Sequence, residues 1–364
     1  MTPGRILGER QLNRATLERQ LLLRRSGLPV LAAVEHLIGL QAQIPLNPYA
    51  ALWSRLEGFR PDELSRLLEE RRVVRIALMR STIHLVSADD CLVLRPLMQP
   101  VLDSELARYR DLTGVDVDAV LAFARKLVGE RPRSGGELRA ALAERFPDHN
   151  AADLAYACRN LLAFVQVPPR GVWGRTSQVV LTTAEAWLGR RLAANPSLED
   201  VVLRYFGAFG PATVADLATW SRLTGLREIV QRLLPRLRTF RDERGRELFD
   251  LLDAPRPDPE TPAPPRFLPE YDNVLLSHAD RSRFISEEQR RAFSGASGAV
   301  HGTVLSDGFV FGVWRLEPDG TLVVRHAGRA TKPTIAAVEA EGRRLLRMIA
   351  ADADGADVRV LPIH

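Results

Sequence analysis

A proline-rich stretch at residues 254–265 separates two hydrophobic patterns in this chain. Six of its 12 residues are proline, so it cannot continue a helix, and we predict an extended, exposed linker. Before it, apolar residues recur at helical spacing, and after it they alternate with a period of two. The predicted fold is therefore α+β and mostly helical, with a small β domain after the linker.

The helical part repeats one order of elements three times, over residues 1–115, 116–195 and 196–253, which we call the first, second and third units. Each pattern predicts helices followed by strands, as in a winged helix. In the first unit we expect helices over 10–28, 30–43 and 49–56, a fourth beginning at Pro61, and a strand over 75–86. In the second we expect helices over 117–128, 134–146 and 151–164, and paired strands over 164–167 and 178–182.

The C-terminal domain, residues 266–364, has the pattern of a small barrel. Alternating segments predict strands over 300–305, 309–316 and 321–326, with hairpin turns at Asp307-Gly308 and Asp319-Gly320. A last helix is expected over 334–350. Three winged helices in series followed by this domain form the predicted architecture.

The charge of the chain favours a polyanionic partner. Its net charge is +5 and its pI is near 9.6, and phosphate neutralisation with release of counterions drives such binding. Of the 50 basic residues only Lys126 and Lys332 are lysines, a bias that a GC-rich genome also produces. Arginine content alone is therefore weak evidence for nucleic acid.

Several classes of protein are excluded by absent patterns. No apolar run approaches the roughly 20 residues of a membrane span and no signal peptide is evident, so a cytoplasmic location with no membrane partner is expected. Cys91 and Cys158 are isolated and predict buried thiols, with no disulfide framework and no metal site. Phosphate-binding loops, dinucleotide-binding and zinc-protease motifs are missing, and no cofactor is expected.

Two local patterns could carry chemistry. Gln41 and Gln43 in the segment 39–45 (GLQAQIP) close a predicted helix before Pro45, where spacing alone favours a solvated helix end. His278 and Asp280 would share one face of a strand, but neighbours on one strand cannot form a catalytic triad. The arginines around them suit either phosphate contacts or internal salt bridges.

Three segments together give the chain a resemblance. Residues 39–45, residues 79–86 (MRSTIHLV) and residues 268–284, which run from LPEYDN to HADRSRF, resemble the bacterial AlkZ-like family. That family consists of winged-helix DNA glycosylases that excise alkylated purines and unhook interstrand crosslinks. The resemblance extends over nearly the whole chain, and the amide at Gln43 is similar to the branch associated with self-resistance to crosslinking natural products.

The resemblance implies a monofunctional DNA glycosylase that acts as a monomer on double-stranded DNA containing cationic N7-alkylated purines, with Gln41 and Gln43 as catalytic residues. It also implies a β-hairpin at residues 303–311 that probes DNA near the lesion. Trp173, in the predicted wing at residues 168–175, would either contact phosphate or pack beneath its own hairpin. The residues expected at the DNA are Arg80, Thr82, His84, Arg170, Trp173, Arg175, His278, Arg281, Arg283, Ser306, Asp307, Gly308 and Phe309.

Two other functions fit the same charge and fold class. A winged-helix transcription regulator that binds DNA without catalysis is the main alternative, although such proteins usually combine one or two winged helices with a sensor domain. A protein-interaction scaffold is the second. The scarcity of lysine adds a mechanistic expectation, because a strand-cutting glycosylase usually needs a lysine amine to form a Schiff base.

Overall fold

The computed structural model describes residues 5–110, 112–293, 301–350 and 357–363. Its first unit is mainly helical and contains four short strands. The elements are β1 (Ile6–Leu7), α1 (Glu9–Arg19), α2 (Val30–His36), β2 (Leu40–Gln41), α3 (Asn47–Arg55), α4 (Pro61–Glu69), β3 (Val73–Ala77), β4 (Ile83–Ser87), α5 (Ala88–Leu97) and α6 (Gln99–Tyr109).

The second and third units follow the predicted order of helices and strands. The second contains α7 (Val117–Glu130), β5 (Arg133–Ser134), α8 (Gly135–Arg145), α9 (Ala151–Leu161), β6 (Phe164–Gln166), β7 (Val180–Thr183) and α10 (Ala184–Leu188). The third contains α11 (Leu198–Phe209), α12 (Val214–Ser221), α13 (Leu226–Leu233), β8 (Leu237–Asp242) and β9 (Glu247–Leu251). Ser134 and Thr213 both form capping boxes, which explains where α8 and α12 begin.

The C-terminal domain is a five-stranded sheet with a helix packed on it. Its elements are β10 (Arg266–Leu268), α14 (Glu287–Phe293), β11 (Gly302–Ser306), β12 (Phe309–Leu316), β13 (Leu322–His326), α15 (Lys332–Ile349) and β14 (Val358–Pro362). The strand order is β10-β11-β12-β13-β14, which leaves β10 and β14 as edges among the described strands. The predicted barrel is therefore not observed. Residue 300, the start of one predicted strand, lies outside the described residues.

One sheet joins the first two units. Its order is β2-β4-β3-β6-β7-β5, and β3 of the first unit pairs with β6 of the second, with Arg75 opposite Gln166. At the other end of the first unit, β1 pairs in parallel with β8 of the third. The three predicted units are therefore linked by shared sheets, which the order of elements along the chain did not indicate.

The glutamine pair does not lie at a helix end. Helix α2 stops at His36, and Ile38 and Gly39 take left-handed conformations with φ of 55° and 85°. At Gly39 a Cβ atom would lie 2.5 Å from a side-chain carbon of Val86 and 2.9 Å from the Leu85 carbonyl oxygen, so only glycine fits. This turn sends the chain into β2, where Gln41 pairs with His84.

The predicted strand over 75–86 is a hairpin. Strands β3 and β4 pair from Val73–Ser87 to Ala77–Ile83, and Arg80 and Ser81 at the tip have φ of 58° and 56°. Two successive left-handed residues that are not glycine are uncommon and store backbone strain. The surrounding contacts must hold them, and those contacts belong to the candidate site described below.

The proline-rich linker is neither free nor fully exposed. Three arginines of α1 donate hydrogen bonds to its backbone: Arg10 to the Pro259 carbonyl at 2.9 Å, Arg14 to Thr261 at 2.7 Å and Arg19 to Pro255 at 3.1 Å. Arg19 also forms a buried ion pair with Asp250 of β9, with N–O distances of 2.6 and 2.9 Å. Helix α1 therefore organises the linker, in which Ala263 is buried and the other residues are exposed or half-buried.

The hairpin turn expected to probe DNA is packed against α1 as well. The Asp307 carboxylate accepts hydrogen bonds from Arg10 and Arg14, and the Asn13 amide donates to the Gly308 carbonyl at 2.7 Å. Ser306 and Phe309 are half-buried and Gly308 is buried. Asp307 and Gly308 therefore have protein partners of their own, and contact of residues 306–309 with DNA stays a prediction.

We predict that Asp307→Ala lowers the free energy of unfolding by about 1–2 kcal/mol, because it leaves the buried Arg14 guanidinium without its carboxylate. The value is reduced for screening, since the Asp307 side chain is 55% exposed. Urea unfolding measures it. The control is Asp319→Ala in the other hairpin turn, where the carboxylate accepts hydrogen bonds within its own turn, from Thr321. Equal losses in the two variants would show that the contacts with α1 contribute nothing.

Candidate active site

Gln41 is fixed at the junction of the first unit with the rest of the protein. Its side-chain oxygen accepts a hydrogen bond from Arg80 Nη2 at 2.7 Å, and the residue is 8% exposed. Because the amide oxygen faces the guanidinium, the amide nitrogen points away from it. The orientation of Gln41 is therefore set by Arg80.

Arg80 connects three parts of the chain. It donates to the Trp220 carbonyl at 2.9 Å and to Asn273 Oδ1 at 3.2 Å, in addition to Gln41. Its pKa is lowered to about 10 by burial, with repulsion from Arg222 and Arg281 as further causes. It stays charged at neutral pH, and neutral oxygens rather than a carboxylate satisfy it. Among the described residues, a largely enclosed positive charge without a carboxylate partner thus lies beside Gln41.

His84 lies next to this guanidinium as a neutral side chain. Burial, with the charge of Arg80 as a second cause, lowers its pKa to about 3. Nδ1 lies 2.9 Å from the Thr82 carbonyl, so it must carry the proton, and unprotonated Nε2 faces Arg80 Nη2 at 3.5 Å. His84 is fully buried beside Arg80, which does not support the DNA contact predicted for it.

The residue between the two glutamines is held from both sides. The Ala42 N–H donates to the Ile83 carbonyl at 2.7 Å, and the Ala42 carbonyl accepts from Arg75 Nη2 at 2.7 Å. Arg75 is 1% exposed, and burial lowers its pKa to about 10. At Gly171, where φ is +88°, a Cβ atom would meet Arg75 Cδ at 2.9 Å. The backbone of the Gln-x-Gln motif is therefore clamped by a second buried arginine.

Residues of the predicted wing support this clamp. The Trp173 ring packs on the Tyr49 ring at 4.9 Å, and the Tyr49 hydroxyl donates to the Gly171 carbonyl at 2.8 Å. Trp173 therefore packs on protein, although on α3 and not beneath its own hairpin. Arg170 donates to the Ser177 carbonyl at 2.7 Å, and exposed Arg175 pairs with Glu69 at 3.4 Å. All three residues have partners in the protein.

Gln43 is the exposed member of the pair. Its side-chain oxygen accepts from the Ile83 N–H at 3.2 Å, and it lines an open cleft of about 260 Å³ between the β3–β4 hairpin and the second unit. Thr82 at the hairpin tip is half-buried and donates to the Met79 carbonyl. The two side chains thus differ in solvent access, because Gln41 is buried and bound by Arg80, whereas Gln43 is exposed to the cleft.

The segment around His278 has two kinds of residue. His278 does not lie on a strand; it is buried, with Nε2 3.0 Å from the Phe209 carbonyl oxygen. Arg283 is also buried and donates to the Pro211 carbonyl at 2.9 Å. Asp280 forms salt bridges with Arg244 and Arg246 at 2.8 and 2.7 Å. The burial of His278 and Arg283 does not support the phosphate contacts predicted for them, and Asp280 has the internal salt bridges of the alternative.

Two arginines remain free beside the site. Arg281 is half-buried and Arg222 is exposed, and the described structure gives neither side chain a hydrogen bond or an ion pair. Both repel the charge on Arg80. Arg222 was not identified from the sequence. It follows Trp220 by two residues and caps α12 in a left-handed conformation, and only the packed structure brings it near Arg80.

Metal sites, membrane spans and cysteines complete the description of the chain. Among the described residues no group of three or more His, Cys, Asp or Glu side chains is placed to hold a metal ion. Within the same ranges no helix is both long and apolar enough to cross a membrane. Cys91 and Cys158 are free and buried, as predicted.

Comparison with known proteins identifies the family. The model of a family described as DNA glycosylase AlkZ-like matches residues 34–348. This range includes the three segments that carry the resemblance, residues 39–45, 79–86 and 268–284. The chain belongs to the AlkZ-like DNA glycosylase family. The resemblance inferred from the sequence is confirmed.

Individual relatives agree with this placement. The chain is 26% identical over 190 residues to a curated protein of Streptomyces sahachiroi named interstrand DNA cross-link repair glycosylase, a match that spans 48% of this chain and about half, 49%, of that relative. It is similar in structure to the Streptomyces sahachiroi DNA glycosylase AlkZ, with a TM-score of 0.81, 21% identity and coverage of 98% of this chain and 100% of the other. At that identity the structural likeness establishes the fold of this AlkZ-like protein.

The neutral state of His84 predicts a pH dependence of stability. Its folded pKa, about 3, lies below the ordinary value of 6.5, so only the unfolded chain takes up the proton between these values. The free energy of unfolding is therefore at its full value above pH 6.5. It declines as the pH falls below 6.5, by up to about 1.4 kcal/mol per pH unit. His84→Gln should therefore lose stability less steeply between pH 6.5 and 4.5 in urea unfolding, with His149→Gln as the control. Parallel curves for wild type and His84→Gln would contradict the assignment.

Proposed function

We propose that this protein is a monofunctional DNA glycosylase that hydrolyses the N-glycosidic bond of cationic N7-alkylated purines in double-stranded DNA, including purines joined in interstrand crosslinks. The observation that carries the proposal is the Gln-x-Gln motif of an AlkZ-like chain, with Gln41 locked by Arg80 and Gln43 open to a cleft. A regulator that only binds DNA has no need of a polar pair held in this way.

The substrate explains why amides suffice. An N7-alkylated purine already carries a positive charge, so it leaves without protonation by a strong acid. The oxygen of water forms the new bond to C1′ while the C1′–N9 bond breaks. The electron pair of the broken bond neutralises the departing purine, and the proton of the water passes to solvent. The enzyme then needs to place the water and to stabilise the oxocarbenium-like sugar.

The two glutamines have different parts in this proposal. The Gln43 oxygen has two lone pairs, and Ile83 N–H occupies one, so the other can accept a hydrogen bond from the attacking water or face the developing positive charge at C1′. Gln41 contributes its amide N–H groups, since its oxygen is held by Arg80. Gln43 is thus the residue that acts on the transition state, and Gln41 orients the substrate beside it.

Binding is proposed to depend on the uncompensated arginines. Within the described parts of the chain Arg80 is half-buried without a carboxylate partner, and Arg222 and Arg281 lie near it with guanidinium groups that have no hydrogen bond or ion pair. Guanidinium groups bind phosphate oxygens with two parallel hydrogen bonds, so Arg222 and Arg281 are the proposed contacts to phosphates beside the lesion. Both the rate of association and the affinity should therefore fall with salt.

Base release tests the assignment of the glutamines. With duplex DNA containing 7-methylguanine under single-turnover conditions, Gln43→Ala should abolish release and keep DNA affinity within a few-fold, because the amide acts on the transition state and not on binding. Gln41→Ala should be impaired to a smaller extent. Gln231→Ala, at an exposed position of α13, is the matched control and should react at the wild-type rate. Wild-type rates in both site variants would show that the chemistry lies elsewhere.

The lysines allow a test of the reaction type. Lys126 is exposed on α7 and Lys332 is exposed at the start of α15, and neither lines the cleft with Gln43. We therefore expect hydrolysis by water, which leaves an intact abasic site that breaks only after alkali treatment. Borohydride added during the reaction should trap no protein–DNA adduct. An adduct that disappears in Lys126→Ala or Lys332→Ala would instead indicate a lyase.

A further inference from the structure

The cleft beside Gln43 has two walls from different units. One wall is the β3–β4 hairpin with Ser81 and Ile83; the other consists of Tyr156 on α9 and Gln166 on β6, and Glu105 of α6 also lines the cleft. Its volume of about 260 Å³ is near the lower end for small-molecule pockets. A space of this size next to a catalytic amide can hold one planar base.

Glu105 gives the cleft an unpaired negative charge. It is half-buried, it is the one carboxylate among the residues that line the cleft, and it has no ion pair or hydrogen bond in the described parts of the chain. Arg159 also lines the cleft, but its side chain is exposed and therefore more screened by water. A ligand with a positive charge would satisfy Glu105, whereas an anionic one would be repelled.

Two further groups suit an aromatic ligand with donor groups. The Gln166 side-chain oxygen is buried and has no hydrogen-bond partner in the described structure. A ligand N–H that donated to it would remove the cost of leaving this acceptor unpaired. The Tyr156 ring is held in place by the Arg110 guanidinium, 4.6 Å from its centroid, and Arg110 is itself paired with Asp153. Aromatic side chains and hydrogen-bonding amides are the groups that bind an extrahelical base.

We propose that this cleft binds the alkylated purine itself, with the positively charged imidazolium ring near Glu105 and an exocyclic amine or ring N–H donating to Gln166. Glu105 is thereby a specificity-determining residue that distinguishes a cationic purine from a neutral one. The inference rests on the proposed function and adds the site and the charge that selects the substrate. None of the three groups named for this contact, Glu105, Tyr156 and Gln166, belongs to the Gln-x-Gln motif.

Binding to DNA that cannot react separates this inference from catalysis. The probe is a duplex with one 2′-fluoro-7-methylguanosine, which resists loss of its base, and the reference is the same duplex with 2′-fluoroguanosine. The ratio of their dissociation constants measures selection of the cationic base. Glu105→Gln keeps the size of the side chain and removes its charge. Glu144→Gln, an exposed glutamate of α8 outside the cleft, is the control because it changes the net charge by the same amount.

We expect wild type and Glu144→Gln to prefer the methylated duplex, and Glu105→Gln to lose about fivefold of that preference with little change in affinity for the reference duplex. An unchanged preference in Glu105→Gln, or no preference in wild type, would overturn the cleft assignment. Release of 7-methylguanine from unfluorinated DNA by wild type, measured in parallel, reports on the proposed function alone. The two can therefore fail separately.

Discussion

A single buried guanidinium holds the candidate site together. Arg80 binds Gln41 of the first unit, the Trp220 carbonyl of the third and Asn273 after the linker, and each of these partners is a neutral oxygen. Burying a charge without an opposite charge is unfavourable unless hydrogen bonds satisfy it, so the first unit, the third unit and the C-terminal domain must pack together for Arg80 to be tolerated. The left-handed backbone at Arg80 and Ser81 is held by the same contacts. Folding and assembly of the site are thus one event.

A second buried arginine acts on the opposite face of the sheet. Arg75 is opposite Leu85 in β4 while Gln41 is opposite His84, and successive residues of a strand point to opposite sides. Arg75 therefore holds the backbone between the two glutamines through the Ala42 carbonyl. Arg80 holds the side chain of Gln41. Both arginines keep their charge without a carboxylate partner in the described residues, and this creates a positive field around the motif.

The site does not belong to any one unit. Gln43 comes from the first unit, the facing wall of its cleft comes from the second, and the Trp220 carbonyl comes from the third. The sheet that joins β3 to β6 brings the first two together, and α1 secures the linker that carries the chain to Asn273. A regulator assembled from independent winged helices would present its recognition helices separately, whereas here the helical units converge on two glutamines.

The sequence by itself determined the types of most elements, the family, and the scarcity of lysine, because helical periodicity, short motifs and composition are local properties. It did not determine that Gln41 lies on a strand, since that depends on pairing with β4 some 40 residues later and on the turn at Gly39. Nor did it distinguish Arg281, which is free, from Arg283, which is buried two residues further on. The docking of Asp307 on α1 and the approach of Arg222 to Arg80 were equally hidden. Which charged side chains face solvent and which are enclosed is decided by contacts between distant segments, and only the tertiary structure contains them.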